Sequence, residues 1–182
     1  MNMDNRTQSS PIFLVGFMGC GKTTLGRALS KATGRQFIDL DFYIEQRFRK
    51  TIPQLFAEKG EAEFRRMESA LLREVGEFSD VVVSCGGGTP CHDGNMDYMN
   101  SKGLTVWLQA TDECLFRRLS RHRERRPLLA GRTDDEIREI ISIRQREREP
   151  HYSLAGMTFP SDELENRKEI DVSVKRFLSI LG

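Results

Sequence analysis

The segment Gly16-Phe17-Met18-Gly19-Cys20-Gly21-Lys22-Thr23 satisfies the pattern G-x-x-x-x-G-K-[ST] without a mismatch, and no other stretch constrains the fold as strongly. Such a loop works between a buried strand and a helix. Its glycines let backbone N–H groups turn inward around a phosphate chain, its lysine reaches the outer phosphates, and its threonine hydroxyl is a ligand for Mg²⁺. The positive end of the following helix points at the same anion. The flanks agree: Ile12-Phe13-Leu14-Val15 is an apolar run of strand length, and from Thr24 onward Leu25, Ala28, Leu29 and Ala32 form one helical stripe with Gly34 just past its end. Gly19, Cys20, Gly21, Lys22, Thr23 and Thr24 are thus candidate contacts for nucleotide phosphates, with Lys22 also catalytic and Thr23 a metal ligand. Cys20 has two readings: a small residue in a tight loop, or a thiol acidified by the helix start.

The rest of the chain repeats the strand-then-helix theme. Apolar runs at Gln36–Asp39, Val81–Ser84, 104–108 and 157–159 read as strands, and the middle ones are continuous rather than alternating, as for strands covered on both faces. Helical stripes lie between them: Phe64, Met67, Leu71 and Val75; Asp112–Ser120; a capping box Thr133/Glu136 ahead of Ile137, Ile140 and Ile141; and Ile170, Val174, Phe177, Leu178 and Leu181. The expected architecture is a three-layer α/β/α fold on a five-stranded parallel sheet. At 182 residues the chain reads as one domain over 1–182, with 1–11 a frayed leader. A net charge of +1 argues against nucleic acid or a membrane surface as main partner. Four cysteines without a C-x-x-C pair read as reduced thiols, and no run reaches membrane-spanning length, which together suggest a cytoplasmic protein.

A phosphate-loop protein needs an acid near its metal. The run Val81-Val82-Val83 ends in Ser84-Cys85-Gly86-Gly87-Gly88 without one, which fits motor ATPases and helicases poorly. Acids close only the run Phe37-Ile38-Asp39-Leu40-Asp41, where spacing i, i+2 on an extended segment would turn both to the same side. Asp39 is expected to face Mg²⁺ through water and Asp41 the acceptor; the simpler alternative makes Asp41 the N-cap of a helix beginning at Phe42. The chain lacks the Asn-Lys-x-Asp guanine reader of GTPase switches, so the base is expected to be adenine. Gly86-Gly87-Gly88 after a strand offers no side chain to pack; close backbone approach to a small ligand explains three glycines, whereas a tight turn needs one.

Taken in order, residues 16–23, Asp39-Leu40-Asp41, Glu63-Phe64-Arg65-Arg66, Gly86-Gly87-Gly88 and Arg126-Pro127-Leu128-Leu129 resemble the shikimate kinases, over residues 12–152. The resemblance implies a fold like that of the nucleoside monophosphate kinases, with a mobile lid at about 118–132. It implies ATP-dependent phosphorylation of the 3-hydroxyl of shikimate, giving shikimate 3-phosphate and ADP in aromatic amino-acid biosynthesis. Mg²⁺ would be the cofactor, and the family acts mostly as monomers. Residue by residue, Arg65 and Arg148 match carboxylate-binding arginines, a task that suits the planar fork of a guanidinium. Asp41 matches the residue that meets the reacting hydroxyl and accepts its proton. Gly87 matches a backbone contact to the ring, within the ligand-facing trio Gly86, Gly87 and Gly88. Phe56 and Phe64 match apolar pocket walls, although Phe64 also lies on its helix's core stripe. Glu68, three residues after Arg65, is within reach to orient it. Arg126 matches the lid's catalytic arginine and a contact to ATP, and Arg118 matches a position that stacks on adenine. Pro150 is expected to stop the helix that carries Arg148. The acidic segment 159–166 is left without an assigned contact to the base. A kinase acting on gluconate or a nucleoside monophosphate, and a nucleotide-binding module without catalysis, are the rival readings.

Overall fold

The computed structural model describes residues 10–121, 123–125 and 128–181. Five strands, β1 (Ile12–Val15), β2 (Gln36–Asp39), β3 (Val81–Ser84), β4 (Leu104–Gln109) and β5 (Met157–Pro160), form one all-parallel sheet in the order β2-β3-β1-β4-β5. The helices are α1 (Lys22–Thr33), α2 (Leu40–Phe48), α3 (Ile52–Gly76), α4 (Asn95–Lys102), α5 (Asp112–Ser120), α6 (Asp134–Tyr152) and α7 (Arg167–Leu181). The three-layer α/β/α expectation is met.

The continuous apolar runs follow from burial on both faces. Ile12 and Leu14 of β1 join one core with Leu25 and Leu29 of α1, Leu115 and Leu119 of α5, Ile137 and Ile141 of α6, and Phe177 of α7. Phe13 and Val15, pointing the other way, join a second core with Ile44 of α2, Phe64, Leu72 and Val75 of α3, and Met96 and Met99 of α4. Thr51 and Thr133 close reciprocal capping boxes with Gln54 and Glu136 at the starts of α3 and α6. Helix α3 breaks its regular geometry at Gly60, φ 76°, before carrying Phe64, Arg65 and Glu68 forward.

Four local expectations are corrected. Helix α1 starts at Lys22 rather than Thr24, so its first turn belongs to the phosphate loop. Helix α2 starts at Leu40, whose side chain is fully buried, and it is Asp39 that caps it, accepting from Phe42 N at 3.3 Å; Asp41 lies in the first turn and not on an extended strand. Pro150 does not stop α6, which runs on to Tyr152, leaving Arg148 inside the helix. The leader gives way to fixed chain before 11: Arg35 Nη1 donates to Ser10 O at 2.6 Å, and Pro11 O accepts from Leu104 N at 3.0 Å.

That last contact leaves no room beside Gly103. A Cβ there would overlap the Pro11 carbonyl group, which is backbone and already committed to the sheet. Gly103→Ala should therefore cost about 1–3 kcal/mol, as overpacking does. The check is the urea midpoint at unchanged m value; an unmoved midpoint would mean the β1–β4 edge is not packed as described.

Candidate active site

A cleft of about 410 Å³ opens over the C-terminal ends of β1, β2 and β3, where parallel α/β sheets place their ligand sites. The phosphate loop forms one wall. Its helix begins after Gly21, φ 101°, with no side-chain cap and no acid in its first turn, so the positive helix end is left open to an anion. The Lys22 ammonium stands on the loop's own carbonyls, 2.7 Å from Gly16 O and 3.0 Å from Phe17 O. Cys20 is buried beside it, with Sγ 3.7 Å from Nζ.

The two aspartates have separate surroundings. Asp39 spends one oxygen on the α2 cap, and its Oδ2 accepts from Thr23 Oγ1 at 3.2 Å. A hydroxyl and a carboxylate at that distance are a hard oxygen pair that fits Mg²⁺, an ion that keeps several waters and takes the rest of its ligands from phosphate. The described residues hold no group of three His, Cys, Asp or Glu side chains that could hold a metal ion. Asp41 remains open to solvent through the cleft, yet enough protein encloses its carboxyl that desolvation, aided by Asp39 and Glu68 and opposed by Lys22, pushes its pKa up to about 6.

Gly86 and Gly87 line the cleft, Gly88 lies beyond its lining with Arg65 and Arg148, and each of the three glycines leaves room for a different charged side chain. A Cβ on Gly86 would lie 2.8 Å from Asp41 Oδ1, one on Gly87 3.0 Å from Arg148 Nη1, and one on Gly88 3.0 Å from Arg65 Nη2. The two guanidiniums thus flank consecutive residues. Gly87's missing methyl would also sit 3.6 Å from Gly16 O, the carbonyl under the Lys22 ammonium. Arg65 is paired with Glu68 at 2.8 Å and lies over the stacked rings of Phe56 and Phe64, 5.6 and 5.3 Å from their centroids. Phe64 is fully buried and Phe56 half-buried, so Phe64 belongs to the core and Phe56 forms more of the open edge. Arg148 lies over the Phe17 ring at 5.8 Å and forms no ion pair among the described residues. The positive field shows at His92, whose pKa is lowered by burial and then by Arg65.

Opposite, the cleft is closed by Arg118, Arg121, Leu164 and Glu165. Arg118 donates to Gly19 O at 3.2 Å, to Ser161 O and Asp162 O at 2.9 Å each, and to Glu165 at 2.6 Å. Glu165 also takes Arg121 at 3.0 Å and Arg117 at 3.5 Å. The acidic segment after β5, without an assignment from sequence, is therefore a wall of the cleft. Of the expected lid, Leu129 is buried in the first core, while Arg126, the expected catalytic arginine, lies outside the described residues.

Three residues of the site escaped the sequence reading. Tyr152 donates from its hydroxyl to Gly87 O at 2.5 Å, and burial raises its pKa. Thr89 donates to Glu68 at 2.6 Å. Glu165 gathers the three arginines. None sits in a motif, although a large aromatic just past Arg148 was a usable signal for Tyr152.

A phosphate loop, an oxygen pair suited to Mg²⁺, and a second compartment with two arginines and a raised aspartate define a phosphate-loop kinase that acts on a small anionic acceptor. The comparisons make this specific. The shikimate kinase family model matches residues 18–179, and the chain belongs to that family. A shikimate kinase of Bacteroides fragilis is 49% identical over 171 residues, covering 94% of this chain and 96% of that protein. The crystal structure of shikimate kinase from Bacteroides thetaiotaomicron superposes with a TM-score of 0.93 at 48% identity, over 95% of this chain and 98% of that one. Shikimate kinase from Acinetobacter baumannii, solved in complex with shikimate, has a TM-score of 0.82 at 31% identity, over 97% of this chain and 96% of that one.

The raised pKa of Asp41 has a consequence for stability. Its carboxyl binds a proton more tightly in the folded chain, at about 6, than at the ordinary value of 3.8 expected unfolded. The folded state therefore holds its full advantage from this group at low pH and loses it as pH rises through about 6. Asp41→Asn should raise the thermal midpoint near pH 8 and do so much less near pH 4, by differential scanning calorimetry. Equal shifts at both values would show that Asp41 titrates normally.

Proposed function

We propose that the chain phosphorylates the 3-hydroxyl of shikimate with ATP, releasing shikimate 3-phosphate and ADP, as a step of aromatic amino-acid biosynthesis. The observation that carries this reading is the convergence of Asp41, Arg148 and Arg65 on Gly86-Gly87-Gly88, facing the phosphate loop. Shikimate is a small triol with one carboxylate. It needs a cationic clamp at one end and an acceptor at the reacting hydroxyl, and the charged groups around the triple glycine offer both. The names of the relatives and the shikimate bound by one of them support the same substrate.

In this mechanism the phosphate loop cradles the triphosphate, and Lys22 leaves its resting carbonyls for the outer phosphate oxygens. Thr23 and Asp39 would hold Mg²⁺, which supplies charge neutralisation to the phosphates. Arg65 and Arg148 take the carboxylate, with Phe56 against the ring's edge. Asp41 orients the acceptor hydroxyl and takes its proton; a pKa of about 6 leaves it ionised yet basic at neutral pH. Arg126, as the lid arginine, would offset charge on the transferring group, a role worth about 10³-fold or more where it has been dissected. Arg118 would lie against the base. Positioning and electrostatics carry the rate, since the transfer asks little covalent chemistry of the protein.

The test is ADP release with shikimate, gluconate, nucleoside monophosphates or no acceptor. Release with shikimate alone supports the proposal; equal release without an acceptor makes the chain an ATPase, and preference for gluconate makes it a different kinase.

Two variants divide the site. Arg65→Ala should raise the KM for shikimate at least tenfold, the cost of losing a charge-assisted bidentate pair of about 1.5–3 kcal/mol, and leave the KM for ATP nearly unchanged. Lys22→Ala should abolish turnover with either substrate saturating. Steady-state kinetics decides both, and a parallel loss of ATP affinity in Arg65→Ala would make that arginine structural.

A further inference from the structure

Behind the triple glycine lies a buried polar network to which the proposed reaction gives no role. Glu68 is 1% exposed, and its two oxygens are each committed. Oε2 accepts from Arg65 Nη1 at 2.8 Å, and Oε1 accepts from Thr89 Oγ1 at 2.6 Å. Thr89 is wholly buried and directly follows Gly88, at the start of the short 3₁₀ turn Thr89–Cys91. The turn is itself pinned. Asn95, also wholly buried, donates to Thr89 O at 2.9 Å and to Ser69 Oγ at 3.0 Å, and its Oδ1 accepts from Arg73 Nη1 at 3.3 Å. Ser69 in turn donates to Asp93 Oδ2 at 3.1 Å. Helix α3 and the loop after β3 are thus locked together immediately behind the Arg65 guanidinium.

What holds Arg65 in place is otherwise sparse. Its Nη2 reaches Glu61 at 3.4 Å, an exposed and long pair, and its buried Nε has no partner among the described residues. Among the described residues Glu68 is the one close ion-pair partner of the fork, which otherwise rests on the Phe56 and Phe64 rings, and a carboxylate on a flexible stem can rotate unless its second oxygen is fixed. Thr89 provides that fix.

We propose that Thr89 is a positioning residue for the acceptor's carboxylate: its hydroxyl sets the rotation of Glu68, and Glu68 sets the Arg65 fork in register with the ligand. The inference rests on the reading of Arg65 as a shikimate contact. The geometry at the glycines supports it, because a methyl at Gly86 would touch Thr89 Oγ1 at 2.9 Å, Glu68 Oε1 at 3.2 Å and Asp41 Oδ1 at 2.8 Å; the hydroxyl stands at the junction of the clamp and the acceptor aspartate.

The experiment compares Thr89→Val, which keeps the volume and removes the donor, with Thr89→Ala and Thr89→Ser. Steady-state kinetics and calorimetric titration with shikimate are read for each soluble variant. Val and Ala should raise the KM and the Kd for shikimate about tenfold, the cost of leaving a buried acceptor without its donor. The KM for ATP should stay within about twofold, with kcat much less affected than KM, and Ser should restore the parent values. The proposal is overturned if shikimate binding stays within about twofold of the parent, if the two KM values rise together, or if Ser is as impaired as Val. Should Val not fold, Ala against Ser decides on the same criteria. A parent enzyme that does not turn over shikimate would instead overturn the proposed function, so the two failures are distinct.

Discussion

Three consecutive residues without side chains, at the end of the strand next to the phosphate-loop strand, determine what can share this site. β3 is hydrogen-bonded to β2 on one side and to β1 on the other, so the chain leaving it passes between Asp39 and the phosphate loop. Any Cβ at 86, 87 or 88 would occupy space now held by a carboxylate or a guanidinium. The glycines cost backbone entropy and contribute no packing. What they allow is a charge arrangement that side chains on that loop would exclude: one acid and two cations within reach of a ring-sized ligand, with the ammonium of Lys22 one carbonyl away.

The electrostatics of that arrangement divide the labour between two aspartates only two residues apart. Asp39 has a hydroxyl and a backbone N–H for its oxygens, and its charge is spent on Thr23 and on the start of α2. Asp41 has neither contact, faces Asp39 and Glu68, and depends on Lys22 for compensation. Its proton affinity is raised by burial and then by Asp39 and Glu68. The raised pKa of Asp41 thus comes from burial first and the neighbouring acids second.

Much of this was legible because it is local. The phosphate loop is a contiguous pattern, and the limits of β1 and β3 coincide with runs buried on both faces, while the edge strand β2 is only partly buried. Arg65 and Arg148, which the motif order drew together, lie beside the consecutive residues Gly88 and Gly87 although 83 positions separate them in the chain. The errors came where tertiary burial outranked local signals. Leu40 enters the core, so α2 begins two residues early and takes Asp39 as its cap. Pro150 sits within the last turn of α6, where Tyr152 is held by its hydroxyl bond to Gly87 and by packing against Trp107. Thr89, Asn95 and Ser69 look like ordinary small polar residues in sequence, and only their complete burial beside Glu68 gives them meaning.

The wall after β5 was illegible for a further reason: its chemistry lies in a balance of charges from distant segments. Glu165 alone is one more exposed acid, and Arg117, Arg118 and Arg121 are one more basic helix end. Together they leave an excess of two positive charges beside the phosphate loop, and Arg118 holds the pKa of Glu165 below its usual range. Arg118 donates to Glu165 and to three backbone carbonyls. These four bonds fasten one guanidinium to the phosphate loop, to the chain after β5 and to Glu165. The acid that pairs with it thus ties the end of α5 to the segment after β5, and the wall of the cleft is built by side chains from two distant stretches of chain.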